Sequence, residues 1–80
     1  MSKILLLNGP NLNLLGTREE EIYGKKSLKE IEESLIQHAQ NHNEELICFQ
    51  SNAEHELVDR IQAAKNEKVK IILFNPGAFT

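Results

Sequence analysis

Eighty residues with twelve acidic and nine basic side chains, a net charge of −3 and a pI near 5.6 leave room for one small domain. The acidic balance argues against a general nucleic-acid binder, which carries a basic surface. The opening run Met1-Ser-Lys-Ile-Leu-Leu-Leu7 is too short for a signal peptide, and nothing approaches the roughly 18–20 apolar residues of a membrane span. The lone cysteine, Cys48, rules out an internal disulfide and fits a reducing compartment, so a soluble, cytoplasmic protein is expected. At this length only about 60–65% of the unfolded surface can be buried, which leaves stability marginal without partner subunits.

The first element is an apolar run, Ile4 to Leu7, read as a strand buried on both faces of a parallel sheet. It leads into the long segment Asn8 to Gly24, which holds three of the four glycines and the only tyrosine. Connections in compact domains are usually about 2–6 residues, and longer ones tend to be functional. A helix follows, opened by the capping box Ser27-Leu-Lys-Glu30 and carried by Leu28, Ile31, Leu35 and Ala39 at helical spacing. Asn41 to Asn43 is its stop. Leu46 to Phe49 is the second strand, with Cys48 read as an apolar core residue rather than a reactive thiol.

A second helix is expected from the similar start Ser51-Asn-Ala-Glu54, with Leu57, Val58, Ile61 and Ala64 on one stripe and an end near Asn66. Val69 to Phe74 is the third strand. Pro76-Gly77 then suits the centre of a type II turn, with glycine at positive φ. Alternation of strands and helices favours an α/β fold with parallel pairing. A helix should follow the last turn and none does, so residues 1–80 are expected to be the N-terminal part of a single α/β domain, truncated on its C-terminal side.

Among candidate functional residues, Asn8, Asn11 and Asn13 form a carboxamide-rich turn that either satisfies irregular backbone or binds a ligand. Arg18 and Tyr23 are a sharper pair. A phenol is a poor base near its ordinary pKa of about 10, and a neighbouring guanidinium stabilises the phenolate. Gly16 and Gly24 bracket the pair and could hinge a closing lid. The alternative for Tyr23 is a packing or surface role, and Glu19-Glu-Glu21 reads as a solvated acidic run. Gly24-Lys-Lys-Ser27 resembles the end of a phosphate loop, yet Lys26 stands where serine or threonine is needed and Glu19 where glycine is needed. His38 and His42 have a metal-compatible spacing but no evident third ligand, and His55 is expected to face solvent.

Together the motifs Gly9-Pro-Asn-Leu-Asn-Leu-Leu-Gly16, Arg18, Ile22-Tyr-Gly24, Phe49-Gln-Ser-Asn52, Glu54, Glu56-Leu57 and Asn75-Pro-Gly-Ala-Phe-Thr80 resemble the type II 3-dehydroquinate dehydratases over all 80 residues. The resemblance implies a flavodoxin-like three-layer α/β sandwich with parallel strand order 2-1-3-4-5, of which strands 1–3 are present. It also implies reversible anti dehydration of 3-dehydroquinate to 3-dehydroshikimate, without metal or other cofactor. Carried over, Tyr23 is the proton acceptor, Arg18 the transition-state stabiliser, Asn11 the holder of a water against the enolate, and Asn75 a substrate-binding residue. The family further implies a homododecamer, a tetramer of trimers, and neither nucleic-acid nor membrane partners.

The chain departs from the family at Glu20, where proline is usual, and at His55, where a small residue is common. It ends at Thr80, where the family continues into His-Thr-Ser and on to its general-acid histidine, so the 80 residues alone are expected to be inactive. Two rivals are an anion- or nucleotide-binding flavodoxin-like module without catalysis, and a short paralogue serving only in assembly.

Overall fold

The computed structural model describes residues 2–14 and 27–77. Strand β1 (Ser2–Asn8) is followed by a 3-10 turn at Leu12–Leu14, helix α1 (Leu28–Asn41) and strand β2 (Glu44–Gln50). Helix α2 (Glu54–Ala64), a second 3-10 turn at Lys65–Glu67 and strand β3 (Val69–Asn75) complete the described elements. The three strands form a parallel sheet in the order β2-β1-β3, which is the first part of the expected 2-1-3-4-5.

Alternation along β1 explains the layers. Side chains two apart share a face, so Leu5 and Leu7 point one way and Ile4 and Leu6 the other. Leu5 and Leu7 are both 0% exposed and pack with Leu57 and Ala64 of α2, with Ile47, Phe49 and Val69 around them. On the opposite face Ile4, Leu6 and Leu46 line an apolar groove with Leu35 and Ala39 of α1. Each helix thus covers one side of the central strand. Pairing is in register along β2, from Ser2 against Glu44 to Asn8 against Gln50, and shifts once along β3 between Lys3 and Ile4.

Local signals set the helix ends. Ser27 is the N-cap of α1, its Oγ accepting from the Glu30 amide at 3.2 Å, and the Glu30 carboxylate in turn accepts from the Ser27 hydroxyl. Asn43, at φ 61°, takes the left-handed conformation that ends the turn into β2. The start of α2 differs from its sequence expectation. Its N-cap is Ala53, without a side-chain cap. Ser51 Oγ instead accepts from the Ala53 amide at 3.0 Å and donates to Glu56. The hydroxyl therefore organises the turn before the helix rather than its first turn.

Along the stripe of α2 only Leu57 and Ala64 are buried, whereas Val58 and Ile61 are exposed, as are Ile71, Ile72, Leu73 and Phe74 of β3. No helix among the described residues is long and apolar enough to cross a membrane.

Candidate functional site

Parallel strands deliver their C-terminal turns to one end of a sheet, and ligands of open α/β folds bind there. In this chain the turns after β1, β2 and β3 are joined by main-chain bonds at that end. The Asn8 carbonyl accepts from the Ser51 amide at 3.1 Å, and the Gly9 amide donates to the Asn75 carbonyl at 2.8 Å. The two outer turns are thereby fixed to the central one.

Glycine is demanded at two positions by the closeness of this junction. A Cβ on Gly9 would stand 2.2 Å from the Pro76 carbonyl oxygen and 2.7 Å from its carbon, both backbone atoms. Gly77 has φ +55°, the positive value expected of the Pro76-Gly77 turn, and a Cβ there would lie 2.6 Å from the Pro10 carbonyl. The loops that begin at Asn8 and Asn75 therefore meet in one place.

The three asparagines of the first turn part company. Asn8 is 3% exposed and donates through Nδ2 to Glu32 Oε2 at 2.9 Å, tying the end of β1 to α1. That is a structural role. Asn11 is exposed, with φ 69°; its amide donates to Asn52 Oδ1 at 3.0 Å and its carbonyl accepts from the Leu14 amide at 3.0 Å. Both main-chain groups are engaged while its carboxamide has no hydrogen-bond partner among the described residues. Asn75 is exposed at the end of β3, with its carbonyl held by Gly9. Asn13 is exposed on the 3-10 turn.

A chain of polar groups runs behind Asn11. Gln50 Nε2 donates to the Gly9 carbonyl at 3.2 Å and to Asn52 Oδ1 at 3.0 Å. Gln50 and Asn52 belong to the motif Phe49-Gln-Ser-Asn52, which by itself assigns them no role. The available signal was the pair of carboxamides at the C-terminal end of the apolar run Leu46 to Phe49.

Arg18 and Tyr23, with the neighbouring Gly16, Glu19 to Glu21 and Gly24, lie outside the described residues. Of the predicted site, Asn11 and Asn75 are the members whose places are given. His38 and His42 have ring centroids 4.7 Å apart, and His42 Nδ1 lies 2.9 Å from the His38 carbonyl. No cluster of three or more metal-ligating side chains occurs among the described residues. His55 is exposed.

Cys48 is half-buried, and burial pushes its thiol up from an ordinary 9.0 to about 11, with the Glu32 carboxylate adding to the rise. The folded thiol keeps its proton where the unfolded one has lost it, so stability is expected to fall as pH climbs from 9.0 to about 11. Alkylation by iodoacetamide at pH 8 should run about a hundredfold slower than for a free thiol. A rate equal to that of the unfolded chain would contradict this environment.

A sequence model of the family described as Dehydroquinase class II matches residues 2–80. The 3-dehydroquinate dehydratase of Thioalkalivibrio sulfidiphilus is 59% identical over all 80 residues, which correspond to 54% of that relative. The enzyme of the same name from Xanthomonas campestris pv. campestris is 55% identical over the same length, again 54% of its own. Among solved structures, the type II dehydroquinase of Butyrivibrio crossotus superimposes with a TM-score of 0.93 at 42% identity, covering 99% of this chain and 55% of that one. The chain thus spans about half the length of the relatives it matches. None of these likenesses favours the nucleotide-binding rival.

Proposed function

The chain belongs to the class II dehydroquinase family, and from that membership we propose that the protein carrying it dehydrates 3-dehydroquinate to 3-dehydroshikimate by anti elimination through an enolate. The junction of the β1 and β3 turns through Gly9 and Asn75 is the observation that supports this most. It sets two exposed carboxamides, Asn11 and Asn75, on neighbouring turns at the ligand-binding end of a parallel sheet.

In this reading Tyr23, as phenolate, removes the proton beside the ketone, and Arg18 keeps the phenolate accessible near neutral pH. As that proton leaves, negative charge gathers on the ketone oxygen. Asn11 holds a water against this oxygen, an electrostatic stabilisation of the oxyanion-hole kind. Asn75 binds the substrate. The proton that leaves with the hydroxyl comes from residues in the half of the relatives that these 80 residues do not span. The chemistry needs no metal or redox cofactor. A place in the shikimate pathway, a cytoplasmic location and a dodecamer of four trimers complete the proposal, with a neighbouring subunit helping to close each site.

The test is a graft in which residues 1–80 replace the matched segment of the Thioalkalivibrio relative. The graft should generate enone absorbance from 3-dehydroquinate at a rate comparable to the relative, and the 80-residue polypeptide should not. An inactive but folded graft would overturn the reading.

A further inference from the structure

We infer that Gln50 and Asn52 are positioning residues that hold the Asn11 backbone in the left-handed conformation from which its carboxamide serves the site, an inference that rests on the role proposed for Asn11 above. Asn52 Oδ1 receives two donors, the Asn11 amide at 3.0 Å and Gln50 Nε2 at 3.0 Å. Gln50 Nε2 also donates to the Gly9 carbonyl at 3.2 Å. One side-chain pair from the end of β2 therefore grips the first turn on both sides of Pro10.

The grip has a fixed base. The Ser51 amide is bonded to the Asn8 carbonyl, and Ser51 Oγ is bonded to the Ala53 amide and to Glu56 of α2. The residue between the two carboxamides is thus anchored to β1 and α2, so Gln50 and Asn52 reach across from a rigid support. Asn11 sits at φ 69°, and its carbonyl is held by the Leu14 amide. With its amide bonded to Asn52 as well, both main-chain polar groups of Asn11 are engaged.

Asn52 is exposed, and an exposed hydrogen bond adds little to folding stability, since water replaces it readily. Its value is orientation. A displacement of about 1 Å in a group that must meet a developing charge can cost about a hundredfold in rate. The motif Gln50-Ser-Asn52 followed by Glu56 then has one purpose: the serine and glutamate fix the turn, and the carboxamides fix Asn11.

The experiment compares Asn52→Leu, Asn52→Asp and Gln50→Leu in the graft, reading kcat, KM, Tm and amide exchange of the peptide spanning Asn11. Asn52→Leu should lower kcat about 10–100-fold while KM and Tm stay near those of the parent, and exchange at Asn11 should quicken. Gln50→Leu should move the same readouts in the same direction. Asn52→Asp keeps the acceptor oxygen and should recover most of the rate. A kcat for Asn52→Leu within about twofold of the parent, or a loss with unchanged exchange at Asn11, would overturn the inference. A parent graft without activity would sink the dehydratase reading instead. The exchange measurement would still judge the clamp, with faster exchange supporting it and unchanged exchange refuting it.

Discussion

Gly9→Ala is expected to cost the graft about 3 kcal/mol or more of stability and most of its activity. The added Cβ meets the Pro76 carbonyl oxygen at 2.2 Å and its carbon at 2.7 Å. Both belong to backbone, so no rotamer change relieves the overlap. The β1 and β3 turns must move apart, and the bond from the Gly9 amide to the Asn75 carbonyl is lost with them. Urea unfolding and initial rates check the two halves of this expectation. A variant with parental stability and rate would mean that the junction does not organise the site. Gly77→Ala combines a contact of 2.6 Å to the Pro10 carbonyl with a positive φ, so it should act in the same direction.

The second large effect is at Tyr23. If its phenolate takes the substrate proton, Tyr23→Phe removes the only group in this chain assigned to that step, and kcat should fall by about a thousandfold or more. Substrate affinity, measured as a Kd by calorimetry, should change little, because binding is assigned to Asn75 and to residues outside the chain. Arg18 gives the pH signature. If that guanidinium stabilises the phenolate as proposed, its loss raises the phenol pKa, and the rate of Arg18→Ala should keep rising with pH beyond the point where the parent levels off. Undiminished turnover in Tyr23→Phe would remove that residue from the mechanism.

Much of the scaffold was legible in the residues. Ile4 to Leu7, Leu46 to Phe49 and Val69 to Phe74 read as strands because a sheet packed on both faces needs continuous apolar runs, and all three lie within β1, β2 and β3. Ser27 and Glu30 announced α1 because an N-cap is a local device, complete within four residues, although Glu30 returns to the Ser27 hydroxyl rather than to its amide. The same spacing misled at Ser51 to Glu54. There the hydroxyl is bonded instead to the Ala53 amide and to Glu56, and nothing in the spacing distinguishes the two uses.

The carboxamides mark a different limit. Asn8, Asn11 and Asn13 are alike on the page of sequence, and what separates them is tertiary. Asn8 is claimed by Glu32, 24 residues along the chain, and the Asn11 amide by Asn52, 41 residues along. No periodicity carries such information. Strand order 2-1-3 likewise came from family resemblance rather than from pattern, since alternating elements are compatible with several orders. Val58, Ile61, Leu73 and Phe74 show the converse case. Their pattern predicts an apolar stripe or a buried strand, and they are exposed in this chain, because apolar character records a need for cover without naming what supplies it.

A crystal structure of the graft with 3-dehydroquinate bound in the Tyr23→Phe background tests most directly whether the joined β1 and β3 turns form the substrate site. The account predicts the ligand at the ends of β1 and β3, with the Asn75 carboxamide in hydrogen-bond reach and Asn11 one water from the ketone oxygen. A ligand seated elsewhere on the sheet, in contact with neither asparagine, would contradict it.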